Sequence, residues 1–325
     1  MAKMTLSCIA FAGLLCVSSL LFASEQPIEL DTETGGIKGT LTTPAGASKT
    51  PVVVIISGSG PTDRDGNTPA PSGRNDSLKL LAAALESQGI ASVRYDKRGV
   101  AGSVKAARQE SDLRIEDYVQ DASSWAVKLA ADARFSGVVI LGHSEGSLIG
   151  MLAAQSSPVR GFISIAGPAE KAAVILRRQL HGRLPPDLDA RNEALLSALE
   201  AGRTSGDVPS ALMALYRPSV QPYLISWFKY SPAQELTKLT APCLIVQGST
   251  DIQVDVSAAQ ALHSARKECE LKVIPGMNHV LKMVAADRGK QVASYGDPTL
   301  PLAPELTKAL EQFFSAVPVR LPSGN

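Results

Sequence analysis

The sequence predicts an α/β fold: a mostly parallel central sheet with helices on both faces and a helical segment inserted after the sixth strand. Three observations carry this. Short apolar runs alternate with stretches of helical spacing along most of the chain. Runs such as Pro51 to Ile56 are apolar throughout, as in strands buried on both faces. The interval 168–241 breaks the rhythm, with helical patterns and no strand. The 325 residues, 45% of them hydrophobic, suffice for one large domain and exclude disorder. A net charge of +1 leaves no electrostatic footprint for nucleic acid.

The elements follow in order. Residues 1–24 read as a secretory signal: Lys3 is their one charge, Ile9 to Phe22 is apolar, and Ala23 and Ser24 suit a cleavage site. The expected protein is therefore exported, to the periplasm or beyond. The alternatives are an uncleaved anchor or a lipoprotein site at Cys16. No later stretch is long and apolar enough to span a membrane. Residues 28–33 and 37–43 alternate around Gly35-Gly36 and predict a hairpin. Strands are expected at 51–56, 90–95, 138–141 and 162–165, and helices at 75–88, 115–133 and 144–154. The core thus runs over 25–167. It resumes over 242–325 with strands at 244–247 and 271–274 and helices at 256–266 and 303–315. Between them, 168–241 carries helical patterns at 169–181, 188–201, 208–216 and 219–229, which read as a cap over the strand ends. Cys243 and Cys269 each precede a strand, and parallel neighbours would bring them together. A disulfide and two buried thiols are both open readings, while the count argues against a zinc site.

The chemistry starts at Gly142-His143-Ser144-Glu145-Gly146, a G-x-S-x-G between a strand and a helix. In that setting it is a nucleophile elbow, a tight turn that lifts the Ser144 hydroxyl out of the sheet. A serine hydroxyl needs a base. Of the four histidines, His143 sits in the elbow and is expected to point elsewhere. His181 lies in the insertion and His263 within a helix. His279 follows the strand 271–274, at the end where sites form, and is the expected base. Asp251, just past the strand 244–247, is the acid that would orient it, ahead of Asp255 and Glu170. The order Ser, Asp, His fits this class of fold. An oxyanion hole needs two backbone N–H groups. Glu145 supplies one, and the loop Ser57-Gly58-Ser59-Gly60-Pro61 the other, through Ser59.

These residues together resemble the α/β-hydrolase family, over about Pro27 to Phe314. The run Gly58-Ser59-Gly60-Pro61-Thr62-Asp63-Arg64-Asp65-Gly66-Asn67 is similar to the oxyanion loop of a bacterial esterase subgroup. So are Arg94-Tyr95-Asp96-Lys97-Arg98-Gly99 and the elbow. The subgroup borders the dienelactone-hydrolase and serine-aminopeptidase branches. The resemblance implies a serine carboxylesterase with Ser144, Asp251 and His279 as triad, needing no cofactor or metal. One departure is visible. The family usually continues as Gly-Val-Gly-x-Ser, whereas this chain has Gly99-Val100-Ala101-Gly102-Ser103.

The expected substrate is a small ester of short to medium acyl chain. Within the insertion, Trp227 and Phe228 are the first candidates to line an acyl pocket, although packing of the cap on itself explains most of its apolar residues. Asp63, Arg64 and Asp65 are expected to tie down their own loop and the Asp96-Lys97-Arg98 segment as surface pairs, the alternative being a charged group of the substrate. Two alternatives stand. One is a peptidase of the same fold, with a cap acid such as Glu170 or Glu193 holding the substrate ammonium. The other is a non-catalytic binding protein on a hydrolase scaffold, against which the intact triad argues.

Overall fold

The computed structural model describes residues 24–46, 49–69, 73–107 and 109–317. The expected signal lies outside these residues apart from Ser24, which opens the first strand. That strand, β1 (Ser24–Thr32), forms the predicted hairpin with β2 (Gly35–Thr43). The core then runs through β3 (Thr50–Ile56), α1 (Ser77–Ser87), β4 (Ala91–Tyr95), α2 (Ile115–Ala130), β5 (Phe135–His143), α3 (Glu145–Ala154) and β6 (Val159–Ile165). Helices follow, with no strand: α4 (Ala172–Leu180), α5 (Pro186–Glu200), α6 (Met213–Tyr216), α7 (Gln221–Phe228) and α8 (Pro232–Thr237). The core closes with β7 (Cys243–Gly248), α9 (Val256–Ala265), β8 (Glu270–Ile274), α10 (Arg288–Ser294) and α11 (Pro304–Ala316).

The eight strands form one sheet in the order β1-β2-β4-β3-β5-β6-β7-β8. Pairing is antiparallel through β1, β2 and β4 and parallel from β4 onward. The chain lays β4 on one side of β3 and β5 on the other, so the loops leaving β3 and β5 part at their carboxyl ends. Such a switch point opens a crevice for ligands. Register pairs Ile56 with Gly142, His143 with Ile165 and Gly248 with Ile274, which brings the ends of these strands to one edge.

The period of two along each strand divides the core. Val52, Val54 and Ile56 face the cluster under α2, α3, α8 and α9. Val53 and Ile55 face the cluster under α1 and α11. Trp125 of α2 is fully buried in the first cluster, against Tyr95 at 5.8 Å. A third cluster holds the cap together through Leu195, Leu196, Leu199, Leu212, Tyr216, Leu224 and Phe228.

Cys243 and Cys269 form a disulfide. The parallel register places Leu244 opposite Glu270, so the residues before them meet, which decides between the two readings left open by sequence. Among the described residues no helix is long and apolar enough to cross a membrane.

Candidate active site

Ser144 sits between the last residue of β5 and the first of α3, with φ 55° and ψ −123°. That is a sparsely populated conformation for a residue with a side chain. The turn exists because its flanks are glycine. A Cβ on Gly142 would lie 2.1 Å from the Gly146 carbonyl oxygen, so strand and helix meet closer than any side chain allows. The Ser144 N–H donates to the Ile165 carbonyl at 2.9 Å, which ties the elbow to β6.

His279 lies on the loop after β8, 4% exposed. Its Nδ1 donates to Asp251 Oδ2 at 2.8 Å, and the Asp251 side chain is fully buried. Asp251 accepts three further hydrogen bonds: from Gln247 Nε2 at 3.1 Å, and from the N–H groups of Gln253 at 2.8 Å and Val254 at 3.0 Å. Burial by itself would raise the Asp251 carboxyl. The His279 ring and these donors outweigh it and hold the group below the usual carboxylate range. With Nδ1 donating, Nε2 is the ring nitrogen left to act as a base, and Ser144 and His279 line one cleft. No hydrogen bond joins the two in this structure. Catalytic contacts of this kind often close only around substrate.

His143 does not point elsewhere, contrary to the sequence expectation. Its ring lies 4.8 Å from that of His279, and its Nε2 is 2.8 Å from the His279 carbonyl oxygen. A carbonyl only accepts, so Nε2 carries the proton. Burial, and next the neighbouring His279 ring, push His143 down to about 3. It is a neutral strut for the base's own backbone.

The cleft has a volume of about 220 Å³. Gly58, Ser59, Thr62, Asn75, Ser77, Gln253, Val280 and Tyr295 line it together with His143, Ser144 and His279. Ser59 thus lines the same cleft as Ser144. Glu145 opens α3, where a first-turn N–H has no intrahelical partner. Trp227 and Phe228 do not line this cleft. Phe228 is 3% exposed inside the cap's own cluster, and Trp227 packs on Tyr223 at 6.0 Å. Both turn inward because the cap must bury an apolar face of its own.

The remaining candidates fall elsewhere. Asp255 caps α9 through the Ser257 N–H, and Glu170 pairs with Arg178 on the surface. The Asp63–Asn67 loop is tied down as expected, but its partners are not surface groups. Arg64 pairs with Asp96 at 2.6 Å and Asp65 with Arg94 at 2.7 Å, and Asp96 and Arg94 are each 2% exposed. Asp63 Oδ1 accepts the N–H groups of Asp65 and Asn67, both at 2.9 Å.

This arrangement of strained serine, buried Asp–His pair and glycine-rich loop can be set beside known proteins. Residues 53–294 match the alpha/beta hydrolase family. The chain belongs to that family. The esterase EstD of Thermotoga maritima is 30% identical over 257 residues, which are 78% of this chain and 60% of the esterase. The chain therefore spans only about three fifths of that relative's length. In fold, this chain is similar to Est1E from Butyrivibrio proteoclasticus, with a TM-score of 0.58, 19% identity and coverage of 89% of this chain and 97% of the other. It is also similar to the Pyrococcus horikoshii acylaminoacyl peptidase, with a TM-score of 0.56, 14% identity and coverage of 94% and 43%.

Sequence reasoning missed three parts of this site. Gln247, on β7, braces Asp251 and also donates to the Val254 carbonyl at 2.8 Å. A polar residue in an otherwise apolar strand was the available signal. Tyr295 follows α10, and its hydroxyl accepts from Gln253 Nε2 at 3.0 Å. The α10 sequence is short and polar, and its period points to nothing. Asn278 is fully buried, and its side chain ties the His279 loop to Ser294 (2.8 Å) and to the Lys282 N–H (2.9 Å).

Proposed function

We propose that this hydrolase is a serine carboxylesterase for small esters of short to medium acyl chain, working through an acyl-enzyme. The observation that carries the reading is the buried Asp251–His279 pair in register with the strained Ser144 turn at one cleft. His279 Nε2 takes the Ser144 proton as Oγ attacks the ester carbonyl. The Ser59 and Glu145 N–H groups hold the oxyanion of the tetrahedral intermediate. Its collapse breaks the bond to the alkoxy oxygen, which leaves with the proton from His279. Water then attacks the acyl-enzyme, gives its proton to His279, and releases the acid and free Ser144.

The cleft supports the short end of the range. Its volume of about 220 Å³ lies below the ~300–1,000 Å³ of typical small-molecule sites, and most of the residues that line it carry polar side chains. Among the described residues no Asp or Glu lines it, and Glu170 and Glu193 are spent on Arg178 and Arg177. A substrate ammonium has no anchor there, which favours a neutral ester over a peptide N-terminus. The predicted signal and the Cys243–Cys269 disulfide both favour export to an oxidising compartment.

The test is hydrolysis of p-nitrophenyl esters from acetate to palmitate, with Ser144→Ala alongside. Turnover should peak at short chains and fall by about 10⁴-fold or more in the variant. A variant that keeps most of the activity removes Ser144 as nucleophile. A peak at palmitate removes the short-chain assignment.

A further inference from the structure

Lys97 follows β4, yet it does not behave like its neighbours. Asp96 pairs with Arg64 at 2.6 Å and so joins two loops, and Arg98 pairs with Asp121 at 2.6 Å and so joins its loop to α2. Lys97 instead turns inward and is 2% exposed. Its Nζ donates to the Gly58 carbonyl, lies 3.3 Å from Glu145 Oε2, and sits 5.3 Å from the centre of the Tyr118 ring. Glu145 is itself 3% exposed, and its Oε1 accepts from the Tyr223 hydroxyl at 2.6 Å. Tyr223 belongs to α7 of the cap.

A buried ion pair is weak support for a fold, since apolar residues of similar volume often stabilise as well or better. Its position is the informative part. A trans peptide is planar, so the Gly58 C=O and the Ser59 N–H point in opposite directions. By drawing the Gly58 oxygen inward, Lys97 turns the Ser59 N–H the other way, on the loop that borders the cleft. This peptide adjoins the nucleophile: a Cβ on Gly58 would lie 3.2 Å from Ser144 Cβ. The same ammonium holds the side chain of Glu145, whose own backbone carries the second N–H of the hole.

We infer that Lys97 is the positioning residue of the oxyanion hole, holding its two donors in register through the Gly58 carbonyl and the Glu145 carboxylate, and that Tyr223 couples the cap to it. The inference rests on Ser144 being the nucleophile. A hole set in advance lowers the transition state and leaves ground-state binding alone, so Lys97 acts on kcat and not on KM.

Three variants test this: Lys97→Met; Lys97→Met with Glu145→Gln, which leaves no unpaired buried charge; and Tyr223→Phe, which removes one hydroxyl. Rates are expressed per Ser144 titrated by a fluorophosphonate, so unfolded protein is not counted. In both Lys97 variants kcat for p-nitrophenyl acetate should fall by about tenfold to hundredfold, with KM within roughly threefold of wild type. Affinity for a trifluoromethyl ketone, which forms the tetrahedral adduct, should fall by the same factor as kcat/KM. Fluorophosphonate labelling should slow in parallel. Tyr223→Phe should lose about threefold to tenfold in kcat. A purely structural lysine would lower the unfolding temperature and leave kcat per labelled site unchanged, and that result overturns the inference. If neither Lys97 variant folds, Tyr223→Phe decides, and an unchanged kcat there overturns it equally. A wild type that labels but hydrolyses no ester removes the esterase reading alone, and the labelling rates still test Lys97. A wild type that does not label overturns both.

Discussion

Asp251 shows how much of a buried carboxylate is decided by its surroundings. Four donors converge on it, and one of them is the ring of His279, the proposed base. Asp251→Asn keeps the shape but presents an amide N–H or a weaker acceptor to His279 Nδ1. We expect kcat to fall by about 10⁴-fold with the unfolding temperature nearly unchanged, read by steady-state kinetics beside calorimetry. His143 makes a different prediction. Its value in the folded protein is about 3, against 6.5 when free, so it stays neutral in the fold while the unfolded chain takes up a proton. The stability it contributes is fully present above about pH 6.5 and is lost as pH falls toward 3, at up to about 1.4 kcal/mol per pH unit. Urea denaturation of wild type and His143→Gln at pH 7 and pH 4.5 should show the variant losing less on acidification. Equal losses would remove His143 as a source of acid lability.

Local elements obey the sequence where their own residues set the geometry. The hairpin, the two-faced strands and the elbow were all legible, since glycine at a turn and the period of apolar residues are short-range facts. The loop after β4 is instructive. Its sequence departs from the usual glycine at position 101, yet Ala101 still takes a left-handed φ of 42°. The backbone keeps its path because the Gly102 N–H donates to buried Asp96 at 2.9 Å. Ala101→Gly removes roughly 1–2 kcal/mol of left-handed strain and returns about 0.4–1 kcal/mol to the unfolded chain. A gain of up to about 1.6 kcal/mol in urea denaturation is expected, and any loss would mean that Ala101 is not strained. The cap behaves less locally. Apolar spacing identified α5 and α7 but not which neighbour each face meets. Phe228→Ala should destabilise the protein by about 3–5 kcal/mol and leave KM for short esters within about twofold. A large KM change would return Phe228 to the acyl site.

Across the whole molecule the sheet order makes the site. Residues from the loops after β3, β5, β7 and β8, far apart in sequence, meet because those strands end in register. The disulfide acts at the same scale. It locks the start of β7 to the start of β8, the two strands whose far ends carry Asp251 and His279. Replacing Cys243 and Cys269 by alanine should cost about 2–4 kcal/mol of stability while kcat per folded molecule changes little, since the bridge lies at the opposite end of the strands from the site. A fall in kcat with stability unchanged would place the bridge's role at the site instead.

The sequence by itself determined the fold class and the elbow, and it singled out Ser144, Asp251 and His279 as the candidate trio. Each depends on short-range pattern and on a residue type that few positions supply, such as a histidine just past a strand in a chain with four. The tertiary structure alone decided which side chains surround that trio. It turned His143 onto His279, packed Trp227 and Phe228 away from the cleft, brought in Tyr295 from just past α10, and set Lys97 between Gly58 and Glu145, which Tyr223 of α7 also holds. Such contacts join residues many positions apart, and they follow from how packed layers fill space, which no local period records.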